Sequence, residues 1–330
     1  MPQGANFIRL SSKLLGRGGK WITVAFFLFL YYAFLVAYFS GGAPLLGDVF
    51  TKCGFELFKG APLFAFAALF GGVVALGPKA IHKTNAILSV FMLVAFCTLI
   101  LVGSQCVEQK RLLNQTAPLS FGAIPVLFGA FGFHNVVPSL ATSLRGDKKA
   151  LRGAVLLGTF LAFALYSLWQ WLVLGSLSKE ALAEVLHKDL PVTYALAKAS
   201  SQQIYTYGQV FAFTALTTSF LGVSFSLVDF IQEGLCLLKK KACPRFFSVV
   251  LALVPPLVCV VYHPHLFDRA LGVAGGFGEA LLNGILPTLF FWKMKALVHE
   301  RLNLRVKLLL GALILFSLWA MFIEIRHLLF

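Results

Sequence analysis

The chain has 330 residues, of which 59% are hydrophobic and 12% are charged, and its formal net charge is +15 at pH 7. About a quarter of the residues of a soluble domain are charged, so this composition excludes an ordinary water-soluble enzyme and a disordered chain. The basic residues stand in short clusters between long apolar runs. That pattern is typical of a polytopic membrane protein and argues against nucleic acid as a partner.

Nine apolar segments are long enough to cross a bilayer, which takes about 20 residues. We predict transmembrane helices over residues 21–39, 61–77, 86–104, 121–144, 151–177, 208–231, 246–262, 266–292 and 306–323. The prediction is therefore an all-α, polytopic integral membrane protein. It forms a single domain over residues 1–330, in which residues 1–20 are a cytoplasmic segment and the lipid bilayer is the solvent.

The distribution of basic residues predicts the orientation of the helices. If the nine helices alternate in direction, about two thirds of the 28 Lys and Arg residues fall at the same set of helix ends as the N-terminus. The positive-inside rule places that set in the cytoplasm and the C-terminus in the periplasm. Residues 1–20 contain no apolar run and do not resemble a signal peptide.

The segment 121–144 breaks the apolar pattern inside one membrane width. It contains Pro125, Pro138, three glycines, His134 and Asn135. A broken helix exposes backbone groups that can bind a polar substrate near the bilayer midplane. The alternative is a proline-kinked packing helix, because glycine and proline are common in membrane helices. We predict a substrate site here, with His134 as its first candidate contact.

His134 is the most informative single residue of this segment. An ionisable group inside a membrane is costly and is a functional candidate by default. A histidine there could bind substrate and also carry protons; the alternative is a neutral histidine that bridges two helices. The neighbouring helix 151–177 offers Tyr166 and Trp169-Gln170-Trp171, which could line a substrate path or form an interfacial aromatic belt.

Four residues outside that segment are candidates for binding a coupling ion: Thr218, Ser219, Asp229 and Glu279. The hydroxyl groups of Thr218 and Ser219 could bind a hard cation or could bond their own helix backbone. Asp229 is either a coupling group or an interfacial charge that faces Lys239 to Lys241. Glu279 lies among glycines at mid-depth, as a protonatable site or as a neutral, hydrogen-bonded side chain.

Metal, cofactor and enzyme signals are weak. The six cysteines include no Cys-x-x-Cys pair, so no metal and no cofactor is predicted; Cys53 and Cys106 could pair on the outer side. The string His263 to Asp268 matches an H-x4-D acyltransferase pattern, which recurs by chance. We predict that the protein is not an enzyme and keep a membrane acyltransferase as an alternative.

The segment around His134 resembles the sixth helix of the bacterial aromatic amino acid permeases, which are specific for tyrosine or tryptophan. Strings elsewhere in the chain resemble the same family in the same order. The matching strings are Ala123-Ile-Pro-Val-Leu-Phe, Phe131-Gly-Phe-His, Val137-Pro-Ser, Leu15-Gly-Arg-Gly-Gly-Lys-Trp, Ala37-Tyr-Phe-Ser-Gly, Trp169-Gln, Leu174-Gly-Ser, Thr218-Ser-Phe-Leu-Gly-Val and Asp229-Phe.

The resemblance implies a LeuT-like fold, with two inverted five-helix repeats and a peripheral eleventh helix. It implies proton-coupled transport of tyrosine or tryptophan across the bacterial inner membrane by alternating access, with a coupling proton in preference to sodium. It places Phe131, Gly132, Phe133 and His134 at the unwound centre of helix six, so that these residues and Ser139 would bind the substrate. It places Thr218 with Ser219 at the position that binds sodium in sodium-coupled relatives.

One departure from the family qualifies this expectation. The chain begins at the family's second cytoplasmic loop, so the first two helices are expected to be missing and the repeat fold to be partial. The first helix of the family carries the glycine-rich break that partners the break in residues 121–144. The alternative function is therefore a truncated permease fragment that inserts in the membrane and does not transport.

Overall fold

The computed structural model describes residues 3–55, 58, 60–113, 121–133, 137–187, 192–199, 202–239, 244–299 and 302–329. Every regular element in these ranges is helical. Seven of the helices are long and apolar enough to cross a membrane, and two shorter apolar helices, Ala61–Leu76 and Phe121–Ala130, separate the first three of them. The predicted all-α, polytopic membrane class is confirmed.

The helices have the following bounds: α1 Gln3–Lys52, α2 Ala61–Leu76, α3 Pro78–Gly103, α4 Gln109–Leu113, α5 Ile124–Ala130, α6 Val137–Ser143, α7 Lys148–Ser176, α8 Lys179–His187, α9 Val192–Ala199, α10 Gln202–Lys239, α11 Arg245–Tyr262, α12 Phe267–Val273, α13 Leu286–Leu297 and α14 Leu304–Leu329. A π-helical segment, Ala274–Ile285, joins α12 to α13. Short 3-10 turns occupy Ser104–Cys106 and Phe121–Ala123.

Glycine and proline divide the first predicted helices. Gly16 leaves the helical conformation at φ 71° and kinks α1 ahead of its apolar stretch. Gly77, at φ 100°, separates α2 from α3, and Pro78 occupies the first turn of α3, where a proline costs no hydrogen bond. α3 thus begins eight residues before the predicted start at residue 86. The prediction began at the apolar run, whereas the largely polar residues 79–85 before it are also helical.

The core is centred on α1, which packs against α2, α10, α11 and α12. Phe39 of α1, Phe66 of α2 and Phe220 of α10 are fully buried, and their ring centroids lie 5.0–6.1 Å apart. Helices in lipid associate through such close packing, because burial away from water offers no driving force there. The aromatic cluster therefore fixes α1 against α10, the two helices that flank the candidate site.

A polar network also joins α1 to α10 near the end of α1. The Gln209 side-chain amide donates hydrogen bonds to Asp48 at 2.7 Å and to the Tyr205 hydroxyl at 2.8 Å, and Lys52 donates to the Gln209 carbonyl oxygen. In the middle of α1, the Ser40 hydroxyl donates to the Pro264 carbonyl and accepts the Leu266 N–H. α1 is therefore tied both to α10 and to the loop before α12.

The π-helical segment packs its glycines against neighbouring backbones. A Cβ atom on Gly275 would lie 1.9 Å from the Pro125 carbonyl oxygen of α5, so only glycine fits this contact. π-helical turns are rare and often occur at functional sites. The segment therefore brings the carboxyl group of Glu279 up to the end of α5.

Candidate substrate and coupling site

The predicted break in residues 121–144 is present in the structure. α5 ends at Ala130 and α6 begins at Val137. Between them, the Phe131 N–H bonds the Leu127 carbonyl at 3.2 Å and the Gly132 N–H bonds the Gly129 carbonyl at 3.0 Å, which closes the last turn of α5. Phe131, Gly132 and Phe133 are half-buried and lie outside regular helix. We call these three residues the interruption.

His134 and Ser139 complete the predicted substrate contacts. His134 lies outside the described residues. Ser139 is in α6, but its side chain is also outside the described part of the chain. Their roles stay predictions.

Tyr166 of α7 supports the interruption from one side. Its hydroxyl donates a 2.9 Å hydrogen bond to the carbonyl oxygen of Ala130, the last residue of α5. Its ring meets the Phe131 ring edge-on, with centroids 5.4 Å apart and an interplanar angle of 87°. The last carbonyls of a helix have no partner within the helix, so this hydroxyl satisfies a group that the break exposes.

Glu279 contacts the interruption through Gly132. A Cβ atom on Gly132 would lie 2.6 Å from Oε1, 2.7 Å from Cδ and 2.9 Å from Oε2 of Glu279, so the carboxyl group occupies the space of the missing side chain. Glu279 is 2% exposed, and the Asn283 side-chain amide donates a hydrogen bond to its Oε2. The sequence singled out both residues but gave no sign that they touch.

Tyr38 of α1 adds a hydroxyl group near this carboxyl. It shares a hydrogen bond with the Ser219 side chain and interacts electrostatically with Glu279 and Tyr166. Its ring stacks in parallel with Phe34, with centroids 6.0 Å apart. Sequence reasoning missed Tyr38, because one aromatic residue in a Phe- and Tyr-rich helix carries no distinguishing signal.

Thr218 and Ser219 make different contacts from neighbouring positions of α10. The Thr218 hydroxyl bonds the Ala215 carbonyl of its own helix at 3.0 Å, whereas Ser219 is exposed and bonds Tyr38. Consecutive side chains on an α-helix point about 100° apart. Of the two, only Ser219 is joined to a residue near the interruption.

Asp229 has a partner that the sequence did not suggest. Its carboxylate pairs with Arg245 of α11 at 3.0 Å, and the Arg245 Nε donates to the Val74 carbonyl at the end of α2 at 3.4 Å. Asp229 lies ten residues beyond Ser219, which is about 15 Å along α10. The pair therefore joins the end of α2, the C-terminal third of α10 and the start of α11.

No group of three or more potential metal-ligating side chains occurs within the described ranges. Cys53 and Cys106 are free thiols, so the pairing considered above is not formed. His263 follows α11 and Asp268 lies in the first turn of α12.

The sequence matches the tryptophan/tyrosine permease family over residues 1–326. Tyrosine-specific transport system 1 of Haemophilus influenzae is 31% identical over 304 residues, covering 90% of this chain and 74% of that protein. A tryptophan-specific transport protein of the same organism is 28% identical over 305 residues, covering 87% and 72%. Glutamine transporter 2 of Aliivibrio fischeri is 29% identical over 225 residues, covering 67% and 57%.

These relatives are transporters and not enzymes, so the acyltransferase alternative is wrong. The family match extends over nearly the whole chain, and the sequence-based recognition of aromatic amino acid permeases is confirmed. The chain belongs to the tryptophan/tyrosine permease family.

Proposed function

We propose that the protein carries tyrosine or tryptophan across the bacterial inner membrane, together with protons, by alternating access around the interruption. The observation that supports this most directly is the break between α5 and α6, in a chain that belongs to a permease family. Unwound backbone in a membrane is tolerated where it lines a cavity or is buried in protein. In transporters it is where polar substrates bind.

The chemistry of the interruption fits an aromatic amino acid. Carbonyl groups near the end of α5 carry the negative end of a helix dipole and suit the substrate ammonium group. Phe131, Phe133 and Tyr166 offer ring edges and faces to the substrate side chain, and aromatic pairs prefer such offset or edge-on contacts. His134 and Ser139 are proposed as further polar contacts.

Coupling to protons is favoured by the candidate residues. The Asp229 carboxylate is already paired with Arg245 and lies about 15 Å along α10 from Ser219, so it does not supply an anionic cation ligand beside the interruption. Glu279 and His134 are groups that take up and release protons. The proposal also has the N-terminus in the cytoplasm and the C-terminus in the periplasm, an orientation that the distribution of basic residues supports.

The test is uptake by the purified chain in proteoliposomes, with labelled tyrosine and tryptophan offered separately. An inward proton gradient should drive accumulation above the equilibrium level, and an inward sodium gradient alone should not. Unlabelled glutamine serves as the competitor, because one relative is a glutamine transporter, and it should compete less well than either aromatic amino acid. A correctly inserted chain that accumulates neither aromatic amino acid would contradict the proposal and favour a non-transporting fragment.

A further inference from the structure

Glu279 is a buried carboxyl group with an unusual neighbour. It lies near the middle of the membrane-length helix Phe267–Leu297 and is 2% exposed. Its Oε2 accepts a hydrogen bond from Asn283, and both carboxyl oxygens face the space where Gly132 lacks a side chain. A change at this carboxyl group therefore acts directly on the interruption.

The partners found for Glu279 suit a neutral acid better than an anion. None of the ion pairs among the described residues includes Glu279, and its hydrogen-bond donor is a neutral amide. A buried carboxylate needs a charged partner or several donors, whereas a protonated carboxyl does not. The charge would be more costly still at membrane depth.

Among the described residues, the titratable groups of the surrounding elements do not supply the missing charge. α5 carries none, α1 contributes the Tyr38 hydroxyl, and Tyr166 of α7 lies beyond Phe131. α14 contributes Glu324, whose carboxyl group lies against Gly272 and whose Cβ and Cγ atoms lie against Gly276, on the continuous helix Phe267–Leu297, the helical rod. Near the ends of the rod are further charged or titratable side chains: Asp268, Arg269, Lys293, Lys295 and His299.

We propose that the Glu279 carboxyl group carries the coupling proton, and that it transmits its protonation state to the substrate site through its contact with Gly132. In the outward-open state, a carboxylate oxygen takes a proton from periplasmic water and forms an O–H bond. In the inward-open state, that bond breaks and the proton passes to cytoplasmic water. This inference rests on the proposed function, because it names the group that performs the coupling.

The contact with Gly132 is what would link the proton to the interruption. A neutral, protonated carboxyl group can pack against the Cα of Gly132 in the contact that this structure shows. An ionised carboxylate needs donors or water, so it must separate from Gly132 or draw the backbone N–H groups of the interruption toward itself. The conformation of the interruption and the protonation of Glu279 are then coupled in both directions, as linkage requires.

The test compares Glu279→Gln with Glu324→Gln in proteoliposomes. Both variants remove a buried carboxyl group that packs on the same helical rod, and only Glu279 contacts the interruption. Glu279→Gln should lose proton-driven accumulation by about 5-fold or more, the lower end of typical coupling factors. It should keep substrate exchange across the membrane without a gradient. Glu324→Gln should retain both activities.

A second readout does not depend on transport. The infrared band of a protonated carboxyl should be present at neutral pH in the unmodified chain and in Glu324→Gln, and should be reduced in Glu279→Gln. If Glu279→Gln does not insert, Glu279→Asp keeps a titratable group one methylene shorter. It should retain accumulation with a shifted pH profile.

Three outcomes would overturn the proposal: proton-driven accumulation that survives Glu279→Gln, an infrared band that Glu279→Gln leaves unchanged, or a pH profile that Glu279→Asp leaves unchanged. Provided that the unmodified chain transports, these outcomes contradict only the role of Glu279 and leave the proposed function in place. An unmodified chain that inserts and moves no aromatic amino acid contradicts the proposed function itself, and the coupling role falls with it.

Discussion

Gly132 is the residue at which a single added methyl group tests the site. In Gly132→Ala the new Cβ would lie 2.6–2.9 Å from three atoms of the Glu279 carboxyl, and overpacking of this kind costs about 1–3 kcal/mol. Either the interruption or Glu279 must move, so we expect normal insertion and loss of most uptake per inserted molecule. The matched control is Gly158→Ala in α7, where nothing lies within 4 Å of the new atom. Equal uptake by the two variants would contradict this prediction.

Tyr166 tests the hydrogen bond that satisfies the end of α5. Tyr166→Phe removes the 2.9 Å bond to the Ala130 carbonyl and keeps the ring that packs against Phe131. We expect the free energy of unfolding to fall by about 0.5–1.5 kcal/mol and substrate affinity to weaken, because the freed carbonyl no longer has a fixed direction. Thermal unfolding in detergent and equilibrium substrate binding measure the two effects.

The control for Tyr166→Phe is Tyr262→Phe, at a tyrosine that is 76% exposed at the end of α11. It should change neither quantity. If the two variants behave alike, the Tyr166 hydroxyl does not support the interruption.

At the scale of elements, the Asp229–Arg245 pair tests whether burial or distance sets the strength of an ion pair. It joins α10 to α11 at 3.0 Å with side chains 31% and 21% exposed. The Glu108–Arg111 pair is shorter, at 2.7 Å, but it is local and its side chains are 58% and 34% exposed. Exposed pairs contribute about 0.2–1 kcal/mol. Double-mutant cycles on thermal unfolding, with Asn or Gln replacements, should give the larger coupling energy for Asp229–Arg245. A larger value for Glu108–Arg111 would show that burial is not the deciding factor.

The elements also show which parts of the structure could be predicted from the sequence. Apolar runs predicted where the membrane helices lie, and Pro125, Gly132 and Pro138 predicted the broken helix, because these signals are local. The contact between Glu279 and Gly132 joins residues 147 positions apart, and no periodicity encodes such a pairing. The pairing of Asp229 with Arg245 could not be predicted from the sequence for the same reason. The π-helical segment could not be predicted because a glycine-rich apolar run is equally compatible with an α-helix.

At the scale of the whole molecule, the two halves of the candidate site are brought together through α1. Its aromatic cluster holds α10, its Ser40 holds the loop before α12, and its Tyr38 reaches Ser219 and Glu279. Glu279 in turn contacts Gly132 of the interruption. If the protein works by alternating access, as proposed, we expect the interruption to move relative to a framework of α1, α2, α10 and α11, which share one buried core.

The distribution of basic residues predicts the orientation of the whole molecule in the membrane. If the basic clusters lie in the cytoplasm, the N-terminus is inside and the end of α14 is outside. An alkaline phosphatase fused after residue 329 should then be active and a green fluorescent protein at the same position dark. Both reporters should give the opposite result after residue 299, in the turn that follows α13 and precedes α14. The same result at both positions would mean that α14 does not cross the membrane. A reversed pair would mean that the positive-inside rule fails for this chain, and with it the assignment of the proton's entry side.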